Sequence, residues 1–273
     1  MRAKLIAALL IMVPSWAMLP LQDRIHQEST ELRYGGAHVN RKMRDVIGQG
    51  MAIALLAGFR GIVADFLWIQ SHGYWEKKQW LQQFRDMEVV TTLQPQSILF
   101  WDEGAWHMAW NIGYAVSVDP ANRTKAEGVK RMRLWHERAR EFLERGIENV
   151  PNRYDLYFKM GWLYLHKLVY DCGDDMTCQQ KRYCEAAEYF RKASSFPNAP
   201  SFVPRTTARA VEKCGDVMSA YQMWLEMWSQ EQGTEGTPRS IIAREIRRLE
   251  DQLNIPDTHR VFPKVPAKPA PSS

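Results

Sequence analysis

The strongest constraint on this chain is a periodicity: Leu67, Ser71, Tyr74, Met87, Val90 and Pro95 fall where a helix-turn-helix unit of about 34 residues needs its packing positions. The match recurs out to Trp228. After Pro95 ten residues lead to Ala105, and after Pro151 ten residues lead to Gly161, so a small residue keeps one register in two successive units. Such spacing predicts an all-α chain of paired helices, an architecture that binds other molecules more often than it performs chemistry.

The first pair is expected around Ala64 to Glu76 and Leu81 to Thr92, closed by Pro95, which cannot continue a helix. The second starts near Ile98 with Trp101, Ala105 and Met108. Its partner carries Ala139, Leu143 and Gly146, and the residues from Arg123 to Arg133 lengthen the helices and their turn. The third has Tyr157, Gly161 and Tyr164, then Ala186, Phe190 and Ala193, with an insertion from Tyr170 to Gln180. The fourth has Ala208 and Val211, a Gly215-Asp216 turn, then Ala220, Trp224 and Met227. An amphipathic helix from Pro238 to Leu253, with Ile241, Ile242, Ile246, Leu249 and Leu253 on one face, is expected to cap the array. The organisation read from the sequence is thus residues 1–21 as signal peptide or membrane anchor, 22–50 as polar lead-in, 51–254 as helical repeat domain, and 255–273 as a disordered proline-rich tail.

The N-terminus sets the expected compartment. Arg2 and Lys4 precede an apolar run from Leu5 to Leu21, a pattern that directs export. Ser15-Trp16-Ala17 fits a cleavage site, while the run is close to the roughly 20 residues that span a bilayer, so cleaved signal and retained anchor both stand. A second apolar stretch, Met51 to Ile69, holds Arg60 and Asp65 and reads as the start of the folded domain. Four cysteines, Cys172, Cys178, Cys184 and Cys214, suit an oxidising compartment, where three connectivities are possible. Cys172 to Cys178 would close a short loop, and Cys184 to Cys214 would tie one helix pair to the next. A cysteine-only zinc site is the rival, without a Cys-x-x-Cys knuckle in its favour.

Net charge is +5, yet Arg and Lys are interspersed with acids, so the clustered cations that nucleic-acid binding needs are absent. His72, His107, His136 and His166 contain no His-x-x-x-His pair, and Asp174-Asp175 reads as a solvated turn with no calcium-loop pattern. No nucleophile elbow, phosphate loop or dinucleotide fingerprint occurs. The reading is therefore non-enzymatic, with no metal, cofactor or small-molecule substrate.

These anchors resemble the tetratricopeptide repeat family from about Ala64 to Gln230. Gly58-Phe59-Arg60-Gly61, Asp65, Trp68 and Trp106 to Trp110 also look like a group of exported bacterial repeat proteins. The resemblance implies a right-handed superhelical solenoid of about four helix pairs with a C-terminal capping helix. It further implies a protein-binding groove lined by the first helix of each pair. Projected onto this chain, that groove takes Asp65, Trp68, His72 and Trp75 from the first unit, and Asp102, Trp106 and Trp110 from the second. Asp155, Phe158, Trp162 and His166 follow from the third, and Arg205 and Arg209 from the fourth. Aromatic and Arg side chains are the usual anchors of such surfaces. The expected role is an extracytoplasmic, periplasm-facing scaffold for a protein or peptide partner, tethered through its N-terminal segment. The alternative is a structural or assembly subunit of a secretion, pilus or respiratory envelope complex.

Overall fold

The computed structural model describes residues 58–230 and 239–263. The export segment, the polar lead-in and the tail beyond residue 263 lie outside the described residues. Every regular element among those described is helical, and none of these helices is long and apolar enough to cross a membrane. The chain divides into two compact units, Met1–Pro151 and Asn152–Ser273.

In the first unit, α1 (Arg60–Glu76) and α2 (Trp80–Leu93) form a helix pair. Their apolar stripes meet in a cluster of Ala64, Leu67, Val89, Val90 and Leu93, joined by Phe100 from the next helix. The connection is tight because Lys78 adopts a left-handed φ of 55°. The Gln79 N–H then donates to the Tyr74 carbonyl at 2.8 Å and the Lys78 N–H to that of Trp75 at 3.0 Å, which satisfies the end of α1. After α2 the chain turns at Pro95, whose carbonyl accepts from Trp101 Nε1 at 2.8 Å.

The next helix is composite. α3 (Ile98–Trp106) passes through a π-helical turn (His107–Ile112) into α4 (Gly113–Ser117). All three segments pack on α5 (Lys125–Asn149). α5 begins at Thr124, whose hydroxyl accepts from the Glu127 N–H at 3.1 Å, while the Glu127 carboxylate accepts from the Arg123 N–H at 2.9 Å. Residues Arg123 to Arg133 thus form the turn and opening of one long helix, as the excess spacing suggested. A Cβ on Gly146 would sit 2.9 Å from the Trp101 ring, and one on Gly104 2.7 Å from Phe142, so glycine sets how closely these helices approach.

In the second unit, α6 (Tyr154–Leu163) runs into a second π-turn (Tyr164–Leu168) and a short 3-10 turn (Tyr170–Cys172). It pairs with α7 (Met176–Ser194), which Asp175 caps by accepting from the Cys178 N–H at 3.0 Å. The Asp175 carboxylate read as a solvated turn is therefore a helix cap. Gly161 admits Phe190, which would lie 2.9 Å from a Cβ there. α8 (Phe202–Lys213) and α9 (Val217–Gln230) follow, joined at Gly215 with φ 99°, and α10 (Arg239–Gln252) closes a cluster of Ala208, Tyr221, Trp224, Ile242, Ile246 and Leu249.

All four cysteines are paired. Cys172–Cys178 and Cys184–Cys214 form disulfides with Cα separations of 5.6 and 4.6 Å. Sulfurs bonded to one another cannot hold zinc, which removes the rival reading. The pairing fits an oxidising environment outside the cytoplasm.

One boundary differs from the sequence reading. Residues 255–263 were expected to be extended, but they fold against α10. Arg260 reaches the Ile255 carbonyl at 2.7 Å and Asp251 at 2.6 Å, and the Val261 N–H donates to Glu250 at 2.6 Å. Phe262 packs edge-on to Trp228 at 5.1 Å. Proline content and the scarcity of apolar residues mark this stretch as unable to build a core of its own, and one 3-10 turn (Asp257–His259) with these contacts holds it against the helix.

Candidate functional site

Among the described residues, each unit carries one exposed tryptophan at the same register, eleven residues after a proline: Trp106 after Pro95 and Trp162 after Pro151. Trp106 is 43% and Trp162 38% exposed, in a chain that buries Trp101, Trp135 and Trp224. Each lies at the end of an α-helical segment where the backbone widens into a π-turn, a feature often found at functional sites. Each also has a histidine against its ring.

In the first unit α1 and α3 bring these side chains together. The His107 ring lies 5.4 Å from Trp106, 6.1 Å from Trp75 and 6.4 Å from His72, and His72 lies 5.2 Å from Trp75. Asn111 Nδ2 is 2.9 Å from His107 Nδ1. An amide NH2 only donates, so this contact requires Nδ1 unprotonated. Burial favours the neutral ring: it lowers the His107 pKa to about 4, with the nearby His72 contributing in the same direction. Trp68 is placed differently. It sits 5.1 Å from Phe100 at the margin of the α1–α2 core. Asp65 is exposed on α1, and Asp102 and Trp110 are half-buried on the α3 side.

In the second unit Phe158 stacks on Trp162 at 5.9 Å, and Trp162 lies 4.0 Å from His166. Phe202 from α8 closes edge-on to Phe158 at 5.3 Å. His166 has a lowered pKa, first because it is desolvated and then because of Lys213 and Lys167. Asp155, in the first turn of α6, pairs with Arg153 at 3.2 Å. Arg205 is half-buried on α8. Arg209 turns toward the capping helix, 3.4 Å from Glu245, with its guanidinium 6.0 Å over the Trp224 ring. Burial pushes Glu245 up, but the hydrogen bond and charge of Arg248, with the charge of Arg209, carry its pKa below the usual value.

The projected groove residues therefore separate into two aromatic faces. His72, Trp75 and Trp106 converge, as do Trp162 and His166. Trp68 and Arg209 are engaged in packing and ion pairing. The projection includes Phe158 and omits His107 and Phe202. His107 had a signal, since Asn111 stands four residues on, where a helical partner would. The second unit also has a hollow of about 350 Å³ lined by Tyr157, Tyr164, Glu185, Tyr189 and Lys192, with Tyr164 and Tyr189 stacked at 5.5 Å. Among the described residues no three His, Cys, Asp or Glu side chains gather as a metal site. No family model matches the sequence, and no curated protein matches it.

Proposed function

We propose that this protein is a non-enzymatic, periplasm-facing scaffold built on tetratricopeptide-type helix pairs, and that it binds a protein partner through the aromatic faces of α3 and α6. The observation that carries this reading is the pair of exposed tryptophans, Trp106 and Trp162, at one register of the two units. An exposed indole costs solvation unless a partner covers it, and Trp is the most enriched anchor of protein interfaces. The neighbouring rings are rigid, so little side-chain entropy is lost on binding. The disulfides support the compartment, and the apolar run from Leu5 to Leu21 supports a membrane tether.

The test is co-purification from detergent-solubilised membranes with the wild-type chain, Trp106→Ala and Trp162→Ala. The reading predicts that a stoichiometric partner is depleted by at least one substitution while circular dichroism is unchanged. Full retention by both folded variants would refute the assignment of these faces.

A further inference from the structure

α1 has two opposite apolar faces, and among the described residues only one of them is covered. Ala64, Leu67 and Ser71 are buried against the body of the unit. Across the helix, Ile62, Phe66 and Ile69 are 66%, 67% and 71% exposed, and Phe59 at the helix start is 40% exposed. Phe59, Ile62, Phe66, Ile69 and Gly73 are spaced three, four, three and four residues apart. That alternation is the seam of a two-stranded coiled coil. In the sequence it extends backward through Leu55 and Ala52.

Gly73 is the second observation. It lies inside a helix, where glycine costs roughly 1 kcal/mol relative to alanine, and a Cβ there would meet nothing within 4 Å. Packing among the described residues gives no reason for it. Close approach by a helix from outside does.

We infer that this face of α1 docks against the same face of a second copy of this chain, the two helices running antiparallel. Antiparallel pairing about a two-fold axis sets Phe66 of one copy beside Ile69 of the other, twice. The same register places Ile62 over Gly73, so the large side chain fills the space that glycine leaves. It also brings Asp65 opposite His72 on the flank, an acceptor facing an N–H donor, again twice. A parallel pair would instead set Gly73 on Gly73 and leave the seam open at that end. Two such faces bury on the order of 1,000 Å², the lower bound of specific interfaces, so the dimer is reversible and concentration-dependent.

The experiment is sedimentation equilibrium of the full-length chain in detergent across the micromolar range, with Gly73→Leu, Phe66→Glu and cysteine variants. A reversible dimer is expected. Phe66→Glu weakens it at least about tenfold. Gly73→Leu also weakens it while raising the melting temperature of the monomer, a split that general misfolding cannot produce. In non-reducing gels the Ile62→Cys/Gly73→Cys double variant crosslinks and neither single variant does. A chain that stays monomeric overturns the inference, whether it dimerises only after residues 1–50 are removed or partitions onto phosphatidylglycerol vesicles through Phe66. A dimer indifferent to Gly73→Leu and Phe66→Glu, or crosslinked by either single variant, overturns it equally.

Discussion

The two units place an exposed tryptophan at the same point of the same helix and surround it with different chemistry. In the first, Trp106 shares its neighbourhood with His72, Trp75 and a buried neutral His107, and the acids Asp65 and Asp102 lie on the same two helices. In the second, Trp162 is flanked by Phe158, Phe202 and His166, and cations press on that histidine. The first unit contains no cysteine, whereas the second holds both disulfides. Repeat spacing sets where the aromatic anchor stands, and the residues around it are free to set the charge it presents. Under the proposed function, the two faces would meet different features of a partner.

Redox conditions should break the symmetry most. Replacing Cys184 and Cys214 by Ser opens a loop of 30 residues and should cost about 3–4 kcal/mol, while opening the Cys172–Cys178 loop should cost about 2. Denaturant titration measures the loss, and amide exchange should confine it to helices α6 to α10. Protection lost equally in α1 to α5 would mean the units are not independent in stability.

Close packing comes next. Gly146→Ala in the first unit and Gly161→Ala in the second each drive a Cβ to 2.9 Å from a buried ring, Trp101 or Phe190. Each should destabilise by about 1–3 kcal/mol. Similar losses at both positions would establish them as equivalent joints, and a neutral result at one would show that its ring can yield.

The histidines sharpen the contrast in pH. Burial holds His107 near 4, below its ordinary 6.5. Its neutral form is therefore favoured in the folded state, and the unfolded chain binds the proton more readily. This contribution is complete above pH 6.5 and is lost as pH falls toward 4. Partial solvent access reduces it to about 1–2 kcal/mol. Stability curves at pH 7 and pH 4.5 should converge for His107→Phe relative to wild type. A pH dependence unchanged by the substitution would contradict the assignment.

The smallest effect concerns a turn. Gly215 and Lys78 both end a helix in the left-handed region, but only the first is glycine. Lys78→Gly should therefore gain a few tenths to about 1 kcal/mol in thermal unfolding, whereas Gly215→Lys should lose at least as much.

The same pair shows what the sequence makes legible. Gly215-Asp216 announces its turn, since glycine supplies the positive φ and aspartate the next cap, with the Ser219 N–H donating to Asp216 at 3.1 Å. Lys78 carries no such signature, because hydrogen bonds to Tyr74 and Trp75 impose its geometry. The helix pairs were readable from Ala64, Leu67, Val90, Gly161 and Phe190, whose spacing is local. The π-turns were not readable: one extra residue in a helical turn leaves composition unchanged and rotates the remainder of the helix. That rotation decides which aromatics converge, so His107 was missed although Trp106 and Trp75 were selected. Trp68 and Arg209 show the reverse failure, since helical register predicts a face and only tertiary packing says whether Phe100 or Glu245 already occupies it.

The central claim, that the exposed tryptophans are the partner-binding faces, is tested most directly by site-specific photo-crosslinking in the native membrane. A photoreactive residue is placed in turn at Trp106, Trp162 and the exposed control Leu134. The account predicts a discrete protein adduct from position 106, 162 or both, and none from 134. Adducts of equal yield at all three positions, or at 134 alone, would contradict it.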